Sequence, residues 1–256
     1  MIRLERRTSA IAWAIVDRPQ ARNAMTFAMW DELHAIARRL RNDRELRVLV
    51  IAGAGGKAFV SGTDIAGFRG FTAEDGVAYE ARMDAVIGAV EALDVPVVAA
   101  VAGACTGGGV ALAAACDVRI GASSARVGVP IARTLGNVLS LANIMRVSGV
   151  VGSDAVKAML VTAELLDAES ALRTGFFHEL VDDAQLDARA AERAETIAAL
   201  APLTLRLTKA GMRRLRAAVP IPDDGDLIRA AYGSADFAEG VDAFIAKRAP
   251  RWTGSG

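Results

Sequence analysis

The sequence predicts an α/β fold built on a mostly parallel sheet, and three features carry that expectation. The segments 47–53 and 97–101 are β-branched and apolar almost throughout, the pattern of strands covered on both faces. Stretches with apolar residues at helical spacing separate them. Glycine-bearing turns stand where strand should give way to helix, at Ser61-Gly62-Thr63-Asp64 and Thr106-Gly107-Gly108-Gly109. Strands joined through helices call for right-handed crossovers. The 256 residues suffice for one large domain or a domain with an appendage.

Taken in order, residues 9–16 alternate enough for a strand that pairs back on 2–6 as a hairpin. Arg18-Pro19-Gln20-Ala21-Arg22-Asn23-Ala24 is a turn. Thr26 is placed to cap a helix over 27–41, in which Met29, Leu33, Ile36, Ala37 and Leu40 recur at helical spacing. Strand 47–53 runs into a loop at Gly53-Ala54-Gly55-Gly56, and 59–65 turns into a short helix. A helix over about 74–93 precedes strand 97–101. Helix 108–115 and a strand over 117–121 follow. Beyond Leu135 the pattern is almost wholly helical, with helices expected near 137–147, 153–161, 167–174, 184–201, 203–217, 224–233 and 236–247. A composition shift near residue 200 separates a core over 1–200 from a helical C-terminal region over 201–256.

Charge and cysteine content narrow the function. Lys and Arg total 30 and Asp and Glu total 30, so nothing favours nucleic acid or an anionic membrane as partner. Cys105 and Cys116 form no CxxC and no disulfide framework, which points to a reducing cytoplasm. The start, Met1-Ile2-Arg3-Leu4-Glu5-Arg6-Arg7, lacks the apolar core of a signal peptide. Residues 95–116 carry no charge and are long enough to span a bilayer, but Pro96 and four glycines favour a buried strand, loop and helix.

Each glycine turn presents backbone N–H groups where negative charge can be held. Two amides converging from separate turns make an oxyanion hole, and such donors are among the largest catalytic terms. Either turn alone has a plain alternative in tight packing of strand on helix.

Together the residues resemble the enoyl-CoA hydratase/isomerase (crotonase) superfamily. The resemblance rests on Arg18-Pro19-Gln20-Ala21-Arg22-Asn23-Ala24-Met25, Lys57-Ala58-Phe59-Val60-Ser61-Gly62-Thr63-Asp64-Ile65 and Gly103-Ala104-Cys105-Thr106-Gly107-Gly108-Gly109. Ala115-Cys116-Asp117-Val118-Arg119-Ile120 and 234–244 with Lys247-Arg248 extend it from about residue 2 to about 250. It implies a spiral of ββα units with a C-terminal helical trimerisation or lid region, and a homotrimer or a hexamer made as a dimer of trimers. It implies acyl-CoA as the substrate, with coenzyme A entering as part of the thioester and no permanently bound cofactor or metal. By motif the Thr63 and Gly108 amides form the oxyanion hole. Arg22, Ala24, Ser61, Asp64 and Ile65 line the CoA arm, and Lys247 approaches its phosphates.

The departure from the hydratase pattern is equally specific. Hydration uses two glutamates, because holding a water and delivering a proton each need a carboxyl in reach. Ala111 and Ile131 stand at those positions, and 127–152 contains no Asp or Glu. Arg133 and Asn137 are the side chains expected to face the acyl pocket in their place, with a surface or interface arginine as the plain alternative for Arg133; an arginine stays protonated and cannot act as base. Asp64 is expected as a helix N-cap. Glu74, Asp75, Glu80 and Asp84 fall where the family varies most and lines its acyl pocket; each is expected as a solvated helix charge, with a catalytic role as the alternative. Cys105 is expected as a buried structural thiol, and His34 and His178 as structural. The readings left open are an acyl-CoA enzyme acting through a thioester enolate, as isomerase, hydratase of an unusual substrate, decarboxylase or hydrolase, and a non-catalytic acyl-CoA binding protein.

Overall fold

The alternation of side chains along the longest strands sorts the core into two layers. The structure, a computed structural model, describes residues 1–254. It opens with β1 (Ile2–Arg6), β2 (Ile11–Val16) and α1 (Phe27–Leu40). Next come β3 (Val48–Gly53), β4 (Ala58–Val60) and α2 (Ala73–Glu91), then β5 (Val97–Val101), β6 (Ala104–Thr106) and α3 (Gly108–Ala115). A third such unit is β7 (Val118–Ala122), β8 (Arg126–Gly128) and the single-turn α4 (Ile131–Thr134). α5 (Leu141–Val151), α6 (Ser153–Thr162), β9 (Leu166–Asp167), α7 (Ala168–Arg173), β10 (Glu179–Val181) and α8 (Leu186–Ala198) complete the core. α9 (Pro202–Ala217), α10 (Gly225–Tyr232) and α11 (Ala235–Ile245) follow.

Each of the three central units lays its first strand in a six-stranded sheet ordered β1-β2-β3-β5-β7-β10. Its second strand lies in a four-stranded sheet ordered β4-β6-β8-β9. The chain thus winds as a spiral of ββα turns, and pairing is parallel except at β1·β2 and β8·β9. Ala12, Ala14 and Val16 of β2, Leu49 and Ile51 of β3, and Val97, Ala99 and Val101 of β5 face the main core with α1, α2 and α3. The intervening Trp13, Val50, Val98 and Ile120 face Leu186, Ala190, Ala194 and Ile197 of α8. Both faces of the large sheet are dry, which is why its strands read as unbroken apolar runs.

The short sheet was not foreseen from sequence, because strands of two or three residues carry no period to read. The two glycine turns do follow neighbouring strands of one sheet, with Ala58 opposite Ala104 and Val60 opposite Cys105. That sheet is the small one. The helix expected from 137 begins at Leu141 instead, because Ser140 caps it by accepting from the Asn143 N–H. No helix among the described residues is long and apolar enough to cross a membrane; 95–116 resolves into β5, β6 and α3.

The C-terminal helices are tied to the core by side chains distant in sequence. Lys209 of α9 pairs with Asp117 ahead of β7, whose Oδ2 also accepts from the Val97 N–H at 2.7 Å. Arg216 and the buried Arg146 of α5 share Glu91 at the end of α2. α10 packs along α2, and α11 packs on the 3-10 turn at 65–68 and on α4.

Candidate active site

The sequence at the second glycine turn assigns a separate task to each of three glycines. Gly107 has φ +56°, a left-handed conformation open to glycine at little cost. Gly109 lies against β4 so closely that a Cβ would stand 2.1 Å from the Val60 carbonyl oxygen. Between them Gly108 opens α3, where an N–H has no intrahelical acceptor. Thr63 sits at the other turn, where the chain pairs with Met25: the Met25 N–H donates to Gly62 O and the Asp64 N–H to Met25 O. The Thr63 N–H is skipped by this ladder, and among the described residues neither it nor the Gly108 N–H has a protein acceptor. Both residues line one cavity of 820 Å³.

Side chains from α1 and α2 hold this pair of turns. Trp30 Nε1 donates to Thr63 Oγ1 at 2.9 Å, and Tyr79 Oη lies 2.7 Å from the same oxygen. The Trp30 ring also faces Gly108, 3.2 Å from where its Cβ would be. One buried indole therefore touches both halves of the donor pair. Asn23, fully buried at φ +55°, closes the preceding loop. It donates to Ala54 O at 3.0 Å and Ala58 O at 2.7 Å and accepts from the Arg18 N–H at 3.0 Å.

Part of the cavity lining is polar and cationic. Arg22, Ala24, Ser61, Asp64, Ile65 and Lys247 all line the cavity. Asp64 caps the 3-10 turn through the Ala66 N–H and pairs with Arg18 Nη1 at 2.7 Å, leaving Arg22 and Lys247 as exposed cations without an acidic partner among the described residues. Much of the rest of the lining is apolar, with Met83, Ile87, Val129, Ile131 and Leu139, and with Phe68 and Tyr79 edge to face at 4.9 Å. Asn137 lines the cavity too, donating to Tyr232 Oη at 3.0 Å.

Two expected pocket residues lie elsewhere. Ala111 is wholly buried in the main core and does not line the cavity, because the helix that starts at Gly108 turns its fourth residue inward against the sheet. Arg133 is exposed on α4 and outside the cavity, since Ile131 and Thr134 take the inward face of that single turn. Glu80 reverses the expectation of a solvated charge. It is 3% exposed and lines the cavity, accepting from Tyr232 Oη at 2.6 Å and from the Ser140 N–H at 3.3 Å. Burial, reinforced by the nearby Asp84 and Asp224, pushes its carboxyl up to about 7 despite those hydrogen bonds.

The signal for Glu80 was present in the sequence. Gly76, Glu80, Met83, Ile87 and Val90 fall on one stripe of α2, and all are buried. Glu74 and Asp75 do behave as surface helix charges, the first paired with Arg229 and the second completing a capping box with Thr72. Asp84 is half-buried and accepts from Ser140 Oγ and Asn143 Nδ2, bracing the loop before α5. Tyr232 had no local signal, standing 152 positions from its partner.

The remaining nucleophile and base candidates lie outside the cavity. Cys105 is fully buried outside the cavity and its thiol is pushed up by burial; Cys116 is pushed up to about 12. His178 accepts from the Arg119 N–H, and burial and the Arg119 charge hold its pKa down. His34 does not line the cavity, and no cluster of metal-ligating side chains exists among the described residues.

A spiral of ββα units with two unengaged amides lining one cavity can be set beside known proteins. The family model described as Enoyl-CoA hydratase/isomerase matches residues 6–255. The crotonyl-CoA hydratase of Syntrophomonas wolfei is 32% identical over 243 residues, covering 93% of this chain and 92% of that protein. An enoyl-CoA hydratase/carnithine racemase from Magnetospirillum magneticum superposes with a TM-score of 0.81 at 35% identity, covering 99% of this chain and 96% of that one. A methylmalonyl-CoA decarboxylase complexed with 2S-carboxypropyl CoA gives a TM-score of 0.89 at 25% identity, over 99% and 98%. The chain belongs to the enoyl-CoA hydratase/isomerase (crotonase) family.

Proposed function

We propose that this protein is an acyl-CoA enzyme whose central act is to stabilise a thioester enolate between the Thr63 and Gly108 amides. The observation that carries the reading is the pair of unengaged N–H groups, one from each glycine turn, on one cavity wall. Donors already in place cost no reorganisation as the carbonyl oxygen gains charge, and the start of α3 adds the positive end of its dipole. The exposed Arg22 and Lys247 suit the phosphates of coenzyme A, which enters as part of the substrate. The apolar part of the lining suits the acyl group.

Two-glutamate hydration is not what this site is equipped for, since Ala111 and Ile131 supply no carboxyl. Losing a general acid or base typically costs about 10²–10⁴-fold. Calorimetry with crotonyl-CoA should show binding, while the enoyl absorbance should decay orders of magnitude more slowly than with a two-glutamate relative. Rapid hydration would overturn this reading. Gly108→Pro tests the amide itself, because proline is accepted at the first helical position yet has no N–H. It should abolish turnover or acyl-CoA binding, and unchanged kinetics would remove Gly108 from the site.

Assembly belongs to the same proposal. Leu203, Leu207, Met212 and Leu215 are exposed on α9, apolar surface that favours self-association. With α11 bringing Phe244 and Lys247 to the cavity mouth, the 201–256 region serves as both assembly surface and lid. Light scattering should give a trimer or hexamer; a monomer would reject this part.

A further inference from the structure

Two carboxylates line the cavity, and they are not equivalent. Asp64 is paired with the Arg18 guanidinium and also accepts from the Ala66 N–H. Glu80 lies on α2, one helical turn from Met83 and two from Ile87, apolar side chains that also line the cavity. Among the described residues no cation pairs with it. Its contacts are the Tyr232 hydroxyl and the Ser140 N–H, both donors. The titratable groups around it are Asp84 on its own helix, Asp224 before α10, and the phenols of Tyr79 and Tyr232; Arg146 is engaged by Glu91 and Asn143. A carboxyl so placed changes charge near neutrality, so acid and base forms coexist there.

We propose that Glu80 is the catalytic carboxyl of this site, moving one proton between Cα and Cγ of an uncharged β,γ-unsaturated acyl thioester, with Tyr232 as its positioning residue. The inference rests on the oxyanion reading above. The Glu80 carboxylate takes the Cα proton, and the electron pair passes to the thioester oxygen between the Thr63 and Gly108 amides. The neutral acid then returns that proton to Cγ, the double bond moves to Cα–Cβ, and the carbonyl re-forms. Atoms and electrons balance with no co-reactant. One carboxyl suffices, whereas adding water calls for a second group to hold it. An acyl group bearing its own carboxylate is disfavoured, because it would be buried beside Glu80, with which no cation pairs.

The test follows 3-pentenoyl-CoA by proton NMR in D2O, with crotonyl-CoA binding measured separately by calorimetry. Wild-type protein should move the double bond, and kcat/KM should rise with pH through an ionisation near 7. Glu80→Gln keeps the shape and the acceptor for Tyr232, so crotonyl-CoA affinity should stay within about twofold while turnover falls about 10²–10⁴-fold. Tyr232→Phe removes a bond that favours the carboxylate, so the pH–rate midpoint should move alkaline, a change that a packing role alone would not produce. Undiminished turnover in Glu80→Gln overturns the proposal. So does a wild-type protein that binds crotonyl-CoA but neither isomerises nor exchanges an α-proton. A wild-type protein that binds no acyl-CoA overturns the oxyanion reading itself, and this proposal with it.

Discussion

The Trp30 indole donates to Thr63 Oγ1 across 2.9 Å while its ring lies against Gly108, so one side chain of α1 sets the spacing of two amides from different turns. Trp30→Phe keeps an aromatic wall but releases Thr63 to Tyr79 alone. We expect kcat for any turned-over acyl-CoA to fall about tenfold or more with little change in KM, as positioning errors act in the transition state. Steady-state kinetics check this, and an equal loss in KM would assign Trp30 to binding.

Gly109 is the point at which α3 touches β4. A methyl group 2.1 Å from Val60 O has no room, and backbone on both sides cannot yield. Gly109→Ala should destabilise the fold by about 3 kcal/mol, as overpacking does. It should also weaken acyl-CoA binding by displacing Gly108. Urea unfolding with calorimetry reads both effects.

Asn23 satisfies three backbone groups from a buried, left-handed position. Asn23→Ala removes those bonds together, leaves Ala54 O and Ala58 O without their donor, and puts alanine at positive φ. A loss of roughly 2–4 kcal/mol is expected, measurable as a lower denaturant midpoint. A change below the error of that measurement would show that the loop holds itself.

Glu80 makes stability depend on pH in a definite direction. Its pKa is raised in the fold, from an ordinary 4.5 to about 7, so between those values the native state binds more protons than the unfolded chain. Stability contributed by the neutral acid is therefore full below the lower value and declines as pH rises toward and through 7. The span amounts to roughly 3 kcal/mol. Glu80→Gln should abolish this slope, and denaturation series at several pH values for both proteins test it.

Lys209 is nearly buried and neutralises Asp117, which orders the start of β5 through the Val97 N–H. Lys209→Ala leaves that carboxylate partly buried and alone, at a cost of about 2 kcal/mol. The same change should loosen α9 against the core, visible as faster amide exchange in 202–217.

Features that depend on neighbours in the chain were legible before any coordinates. The apolar runs of β3 and β5 report a sheet covered on both faces, the spacing in 27–41 reports α1, and Gly107-Gly108-Gly109 reports a strand-to-helix turn offering N–H groups. The absence of carboxyls at Ala111 and Ile131 is a property of the sequence itself. Tertiary structure alone decided what depends on separation. It gathered β4, β6, β8 and β9 into a second sheet too short to show a period, and it turned Arg133 out and Ala111 into the core. It also brought Tyr232 across 152 positions to Glu80. Helical phase could place Glu80 on a buried stripe, but only its surroundings determine whether a buried carboxyl is neutralised, paired or left free to carry a proton. Those surroundings come from α5 and α10, which no local pattern places beside α2.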